Sequence, residues 1–432
     1  MKINKINFVK AAALFSLCMG IISCASTSVK EEALPQNQNQ AQKSSSHAFK
    51  LTDEEIQPLL DSALISTGSS SNLRKQLERI QNGEAVYVAA IGGSVTEGQG
   101  PGSWRFGYAY QFVNLLKKEF KGELPVNVIF QNAGLCGTPS LLGCIRYSED
   151  VVKASGHVPD ILVIEFAVND NTGNDCQRGY ESIIRQALKS NPEMAVIALY
   201  SAATYGNTLY TMNPISQYYG LAEINVLSGV KKAQRENIFN DVEYYTDTVH
   251  PTKDGHLFEA ECLINLCKKA FTEEKQSSVE IPAAPFVKNA FENPVRITKE
   301  STDVILETGG FNSTDTQVQG HLKDSSSAFP ENFYHSPSSS NQSMKITVEC
   351  KSFIIATKDN GSWTGTSFGE AEIYVDGKLT QTVSGQTSSG WNNPVTSVLI
   401  DEETASEHTI EIKMKKEDEN KGFTVLAMAY CK

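Results

Sequence analysis

Four short apolar runs, Ala85–Ile91, Val126–Phe130, Ile161–Phe166 and Ala195–Tyr200, alternate with segments whose apolar residues recur near every 3.6 positions. The runs are too short for helices and rich in Val and Ile, which marks them as strands buried on both faces. Between them Phe106, Tyr110, Phe112, Val113, Leu116 and Phe120 trace one helical stripe. Tyr180, Ile183, Ile184, Ala187 and Leu188 trace another, which Asn191-Pro192 stops. A weaker helix and strand are expected over 217–221 and 222–226, and a long amphipathic helix over 253–271. This order predicts an open parallel α/β sheet with right-handed crossovers and helices on both faces.

In such sheets ligands sit beyond the carboxyl ends of the strands, so the residues that follow each run are the candidate site. The first run ends in Gly92-Gly93-Ser94, followed by Thr96 and Gly98. Two glycines there let the backbone turn sharply and lie close to a substrate; a plain turn capped by Ser94 or Thr96 is the alternative. Neither G-x-x-x-x-G-K-[ST] nor G-x-G-x-x-G can be written over these residues, which excludes a phosphate-binding loop of either kind. Asn132-Ala133-Gly134 follow the second run, Asn169-Asp170 end the third, and Asp247 stands three residues before His250, ahead of the last helix. Four polar or glycine-bearing sites thus converge on one edge of one sheet.

This set resembles the SGNH, or GDSL-like, hydrolase superfamily, whose blocks supply Ser, Gly, Asn and His in this order. The similarity spans about residues 52–275 and departs from the common pattern at Gly93, where many members have Asp, and at Ala167, where many have Gly. It implies a flavodoxin-like three-layer α/β sheet and a serine hydrolase that needs no cofactor. A serine hydroxyl is a weak nucleophile until a base takes its proton, so Ser94 needs His250, with Asp247 fixing the imidazole tautomer. The backbone N–H groups of Ser94 and Gly134 and the Asn169 side-chain amide would form the oxyanion hole. Asp170 is expected in a supporting or turn role, His256 in a solvated or capping one, and Glu165 as a hydrogen-bonded rim residue. No Cys/His cluster has the spacing of a zinc site. The α/β-hydrolase alternative would need glycine at position 96, which is Thr96.

Beyond Pro285 the alternating runs MKITVE, SFIIAT, AEIYVDGKLTQTV, TSVLI, HTIEIKM and FTVLAMAY predict strands, with Asp376-Gly377 as a two-residue hairpin turn. They predict an all-β sandwich or jelly roll, similar to the non-catalytic modules that accompany bacterial carbohydrate esterases. Trp363, Trp391, Tyr334 and Phe333 could stack on sugar rings or simply pack a core.

At the other end, Lys2, Lys5 and Lys10 precede an apolar run that stops at Ile21-Ile22-Ser23-Cys24, as in a bacterial lipoprotein signal peptide; an ordinary cleaved leader is the alternative. The expected organisation is a leader over 1–24 with Cys24 lipidated, a polar tether over 25–49, a catalytic domain over 50–280 and the β-domain over 281–432. An exported chain can form disulfides, and Cys136 with Cys144 and Cys350 with Cys431 are candidate pairs, buried free thiols being the other expectation. A net charge of −12 argues against nucleic acid. The sequence therefore predicts an extracytoplasmic cell-envelope lipoprotein, at the outer membrane or cell surface, that touches the membrane only through its lipid. Its expected substrate is an O-acylated, especially O-acetylated, polysaccharide or oligosaccharide. An acyl hydrolase of lipids and a carbohydrate-binding lipoprotein with a vestigial site are the rivals.

Overall fold

A computed structural model describes residues 47–275, 277–278, 280–288 and 291–432 and places all four apolar runs in one six-stranded sheet. The chain enters through α1 (Asp53–Ala63), β1 (Leu64–Ser66) and α2 (Ser70–Gln81). There follow β2 (Ala85–Gly92), α3 (Ser94–Glu97), α4 (Tyr108–Glu119), β3 (Asn127–Gly134), α5 (Ser140–Arg146) and β4 (Ile161–Glu165). Then come α6 (Asn174–Ser190), β5 (Ala195–Tyr200), α7 (Leu209–Tyr218), β6 (Ala222–Asn225), α8 (Val226–Arg235), α9 (Asp241–Tyr244) and α10 (Lys253–Thr272). The sheet order is β1-β6-β5-β4-β2-β3, parallel throughout except for the edge strand β1. Without β1 this is the flavodoxin-like order. Its switch point lies at β2, flanked by β3 on one side and β4 on the other, so the crevice opens at the carboxyl end of β2.

Side chains alternate across this sheet. Val86, Val88, Ala90, Ile161, Val163, Ile197 and Leu199 pack on Phe112 and Leu116 of α4 and Phe258 and Leu263 of α10. Ala89, Ile91, Leu162, Ile164, Val196 and Ala198 face Leu141 and Ile145 of α5 and Ile183 and Ile184 of α6. Helix entries follow ordinary capping: Thr52 and Glu55 form a reciprocal capping box at α1, and Thr252 caps α10 by accepting from Gly255 N–H. The weak helix expected at 217 begins instead at Leu209, because α7 buries only Met212, Ile215 and Ser216 and so carries no full apolar stripe.

The C-terminal strands are β7 (Val295–Ile297), β8 (Ile305–Glu307), β9 (Phe333–His335), β10 (Met344–Asp359), β11 (Glu370–Val375), β12 (Lys378–Ser384), β13 (Asn393–Met414) and β14 (Phe423–Cys431). All pair antiparallel, in the order β12-β11-β13-β10-β14-β7, with β8 added on β10 and β9 on β14. Asp376 and Gly377 both take positive φ (52° and 76°), as a tight hairpin requires. MKITVE and SFIIAT, read as separate strands, are one strand, β10, that changes register between Cys350 and Ser352. A bulge bends the strand without ending it. Beyond that bend the strand is buried on both faces. Phe353 and Ile355 enter the β-domain core, while Ile354 and Ala356, with Leu426, Ala429 and Cys431 of β14, join the cluster under α5 and α6. The described residues accordingly fall in one compact unit. Polar links reinforce the seam: Arg178 pairs with Asp401 (2.8 Å at Nη1), Arg185 with Glu292 (2.5 Å), and Ser182 Oγ donates to Phe291 O (2.6 Å).

Cys136, Cys144, Cys176, Cys262, Cys267, Cys350 and Cys431 are free thiols, so neither candidate disulfide forms. Cys350 points into the β-domain core and Cys431 into the interdomain cluster, on opposite sides of their sheet. The leader, Cys24 and most of the tether lie outside the described residues. Residues 47–49, expected in the tether, are packed: Ala48 is buried, and His47 reaches Asp53 (2.6 Å) and Glu261 (2.7 Å).

Candidate active site

Ser94 begins the single-turn helix α3 directly beyond β2 and is almost wholly enclosed. The loop before α10 folds back over it. Asp247 Oδ1 accepts from the N–H groups of Val249 (2.7 Å) and His250 (2.8 Å), a tight local turn that aims the His250 ring at Ser94. His250 Nδ1 lies 2.6 Å from Asp247 Oδ2, and His250 Nε2 lies 2.8 Å from Ser94 Oγ. An ionised carboxylate only accepts, so Nδ1 carries the proton and the Nε2 lone pair faces the serine hydroxyl. Burial raises the Asp247 carboxyl, but the hydrogen bonds from the His250 ring and from the two N–H groups outweigh it and hold the carboxyl below its ordinary range.

Ser94 N–H occupies the first helical position of α3, where no intrahelical acceptor exists. Asn169 Nδ2 meets no acceptor among the described residues, and its Oδ1 is buried without a partner. The Gly134 N–H, expected as a third donor, is instead donated to Asn132 Oδ1 (2.8 Å), while Asn132 Nδ2 donates to Thr96 O (2.9 Å). The glycines make room for protein atoms and not for substrate. A Cβ on Gly93 would lie 1.9 Å from Asn169 Oδ1, and one on Gly134 would lie 2.2 Å from Glu97 N. Gly93 thus leaves room for the Asn169 amide beside the nucleophile turn.

The surrounding residues differ from expectation in burial. Asp170 supports α5, accepting from Ser140 N–H (2.7 Å) and Ser140 Oγ (2.6 Å). His256, expected near solvent, is fully buried: Nδ1 accepts from Tyr108 N–H (3.1 Å) and Nε2 donates to Gln99 O (2.9 Å). Burial lowers it to about 4, so it is a neutral strut between α4 and the loop beside His250. Glu165, the last residue of β4, is likewise fully buried and accepts from Thr96 Oγ1 (3.0 Å). The Cys136 thiol, beside Ser94, is pushed up to about 12 by burial and then by Glu97, which leaves it protonated and no rival nucleophile.

Sequence reasoning missed the part of the wall that comes from the β-domain. Glu97 accepts from Cys136 N–H (3.1 Å) and from Leu322 N–H (2.9 Å), and Gln319 Nε2 donates to Cys136 O (3.2 Å). Trp391 lies against Gly137, where a Cβ would come within 2.6 Å of the indole, and remains 37% exposed. Of the other aromatic candidates, Phe333 belongs to the β-domain core and Tyr334 stacks on Phe368. Trp363 is solvent-exposed and packs over Gly361. Tyr205, whose hydroxyl donates to Val168 O (3.2 Å), stands exposed next to Asn169; position was its only signal, since it follows the carboxyl end of β5.

Residues 90–257 match the GDSL-like Lipase/Acylhydrolase family. The fold is similar to that of a two-domain esterase active on acetylated mannans, at 23% identity and a TM-score of 0.74, over 86% of this chain and 98% of that chain. A structure of a two-domain esterase of the same description, co-crystallised with mannopentaose, gives 23% identity and a TM-score of 0.72 over 86% and 97% of the two chains. No curated protein sequence matches the chain.

Proposed function

We propose that this chain, which carries a GDSL-like acylhydrolase domain, is an exported, lipid-anchored serine esterase that removes short acyl groups, acetyl above all, from a polysaccharide. The observation that carries the reading is the continuous hydrogen-bonded path Asp247–His250–Ser94. Ser94 Oγ attacks the acyl carbon while its proton passes to His250 Nε2, and Asp247 stabilises the imidazolium. The carbonyl oxygen becomes an oxyanion held by Ser94 N–H and Asn169 Nδ2. Collapse expels the sugar alkoxide, which takes the proton back from His250. Water then attacks the acyl-enzyme by the same route, releasing the carboxylic acid and restoring Ser94.

Three observations support a carbohydrate ester. The exposed Trp391 and Tyr205 flank the site with aromatic faces suited to sugar rings. The nearby loops QGPGS (99–103) and NTGND (171–175) are small and polar, with little apolar area for a long acyl chain. The related fold belongs to an esterase active on acetylated mannans. The apolar leader ending at Cys24 supports export and anchoring. Acetate release should be measured on acetylated mannan, xylan, pectin and chitin oligomers with wild type and Ser94→Ala. Ser94-dependent release from at least one glycan, with 4-nitrophenyl acetate preferred over the palmitate, is expected; preference for palmitate would overturn the substrate class.

A further inference from the structure

Asn169 brings the oxyanion amide to the site on a short turn, and its Oδ1 is buried without a hydrogen-bond partner. The amide lies against Gly93, where a Cβ would leave it no room. Van der Waals contact limits where an amide can sit but does not orient it as a hydrogen bond does. The direction in which Nδ2 points is therefore inherited from the main chain of residues 166–170. Within that turn Phe166 O accepts from the N–H groups of Asn169 (3.0 Å) and Asp170 (2.9 Å), which leaves the carbonyls of Ala167 and Val168 to partners outside it.

One loop, residues 201–208 between β5 and α7, takes both carbonyls. Ala167 O accepts from Thr208 twice, from its N–H (2.9 Å) and from its Oγ1 (3.0 Å). Val168 O accepts from the Tyr205 hydroxyl (3.2 Å). The loop is itself anchored, since Asn207 Nδ2 donates to Ser201 O (2.9 Å) and to Asn225 Oδ1 of β6 (3.0 Å). Thr204 donates twice to Thr248 O, from its N–H (2.9 Å) and from its Oγ1 (3.0 Å). Thr248 stands between Asp247 and His250, so the same loop holds the turn that carries the oxyanion amide and the turn that carries the base.

We propose that Tyr205 and Thr208 are positioning residues: they hold the carbonyls of Val168 and Ala167 and so aim the Asn169 amide at the oxyanion, from a loop that Thr204 ties to the His250 turn. Loss of their hydroxyls lets the 166–170 turn relax, and Nδ2 then spends part of its time away from the oxyanion. That raises the barrier without changing how the ground-state ester binds, so kcat falls and KM does not move.

This inference rests on the reading of Ser94 as nucleophile and Asn169 as oxyanion donor, and a double-mutant cycle separates the two. kcat and KM on 4-nitrophenyl acetate are measured for wild type, Tyr205→Phe, Tyr205→Phe/Thr208→Val, Asn169→Ala, each of the first two combined with Asn169→Ala, and Ser94→Ala. Phenylalanine keeps the ring and valine the shape, so each substitution removes one hydroxyl donor. Tyr205→Phe is expected about threefold and Tyr205→Phe/Thr208→Val about tenfold lower in kcat, the scale of one or two neutral hydrogen bonds, with KM within about twofold. Asn169→Ala is expected about 100-fold lower. In the Asn169→Ala background neither hydroxyl substitution should lower kcat further, because the group they aim is gone. An unchanged kcat in Tyr205→Phe/Thr208→Val, or an equal fold-loss with and without Asn169, overturns the inference. If Thr208→Val does not fold, the cycle with Tyr205→Phe, at an exposed position, decides by the same criterion. Activity that survives in Ser94→Ala overturns the reading of the nucleophile, while the cycle still reports on Asn169; an unchanged kcat in Asn169→Ala overturns both.

Discussion

At the scale of single residues, the site depends on groups aimed by short-range contacts. In the proposed mechanism Ser94 Oγ is the atom that becomes covalently bonded, so Ser94→Ala should abolish hydrolysis with the melting temperature unchanged, and a fluorophosphonate probe should label wild type at Ser94 alone. Asp247 keeps its charge to below the ordinary carboxylate range and so stays an acceptor for His250 Nδ1–H. Asp247→Asn should therefore lower kcat less than His250→Ala, since an unassisted imidazole still visits the productive tautomer. Equal and negligible effects of both would contradict the pairing. Gly93→Ala puts a methyl group 1.9 Å from Asn169 Oδ1 and should push that amide away from the oxyanion. Losing one such donor costs about 3 kcal/mol of barrier, a drop of roughly 100-fold in kcat with KM little changed.

At the scale of elements, the nucleophile turn is set by how closely α3 and β3 approach. A Cβ on Gly134 would meet the backbone of Glu97 at 2.2 Å, and backbone cannot swing aside as a side-chain tip does. Gly134→Ala should cost about 1–3 kcal/mol of stability in urea unfolding and should also lower kcat, because α3 must move. A variant as stable and active as wild type would show that the two elements are not pressed together. The parallel strands β2, β3, β4 and β5 and the helix α10 were legible in the sequence because each buries a dense apolar set with a clear period. α8 was missed although Val226, Val230 and Ala233 mark a buried face, since three apolar positions in a short segment fit a strand end as well. The long strands β10 and β13 were read as shorter pieces because the register shifts between Cys350 and Ser352, where residues 402–405 of β13 have no partner in β10.

At the scale of the whole molecule, the β-domain is a structural part of the enzyme. Removing residues 286–432 would strip Ile354, Ala356, Leu426, Ala429 and Cys431 from the face of α5 and α6, and the remainder should be insoluble or unfolded. Point substitution is the cleaner probe of its role at the site. Trp391→Ala should lower kcat/KM on an acetylated polysaccharide by about tenfold, consistent with the loss of a stacked ring worth about 1 kcal/mol or more, while 4-nitrophenyl acetate turnover stays within twofold. Equal losses on both substrates would mean that Trp391 only supports the loop at Gly137.

The placement of Ser94, Asn132, Gly134 and Asn169 at or just beyond the carboxyl ends of neighbouring strands was legible in the sequence by itself, because a parallel sheet delivers the carboxyl ends of its strands to one edge. Asp247 and His250 sit three residues apart, so their pairing is a local matter that a tight turn suffices to make. What only the tertiary structure decided is the use of each group: that the Gly134 N–H is engaged by Asn132, that Gly93 makes room for Asn169, and that Glu165 and His256 are buried beneath the nucleophile. Leu322 reaches Glu97 from 225 residues away along the chain, and Trp391 reaches Gly137 from further still. Hydrogen-bond partners and close approaches between segments so far apart depend on how sheet, helices and β-domain dock, and no periodicity along the chain encodes that docking.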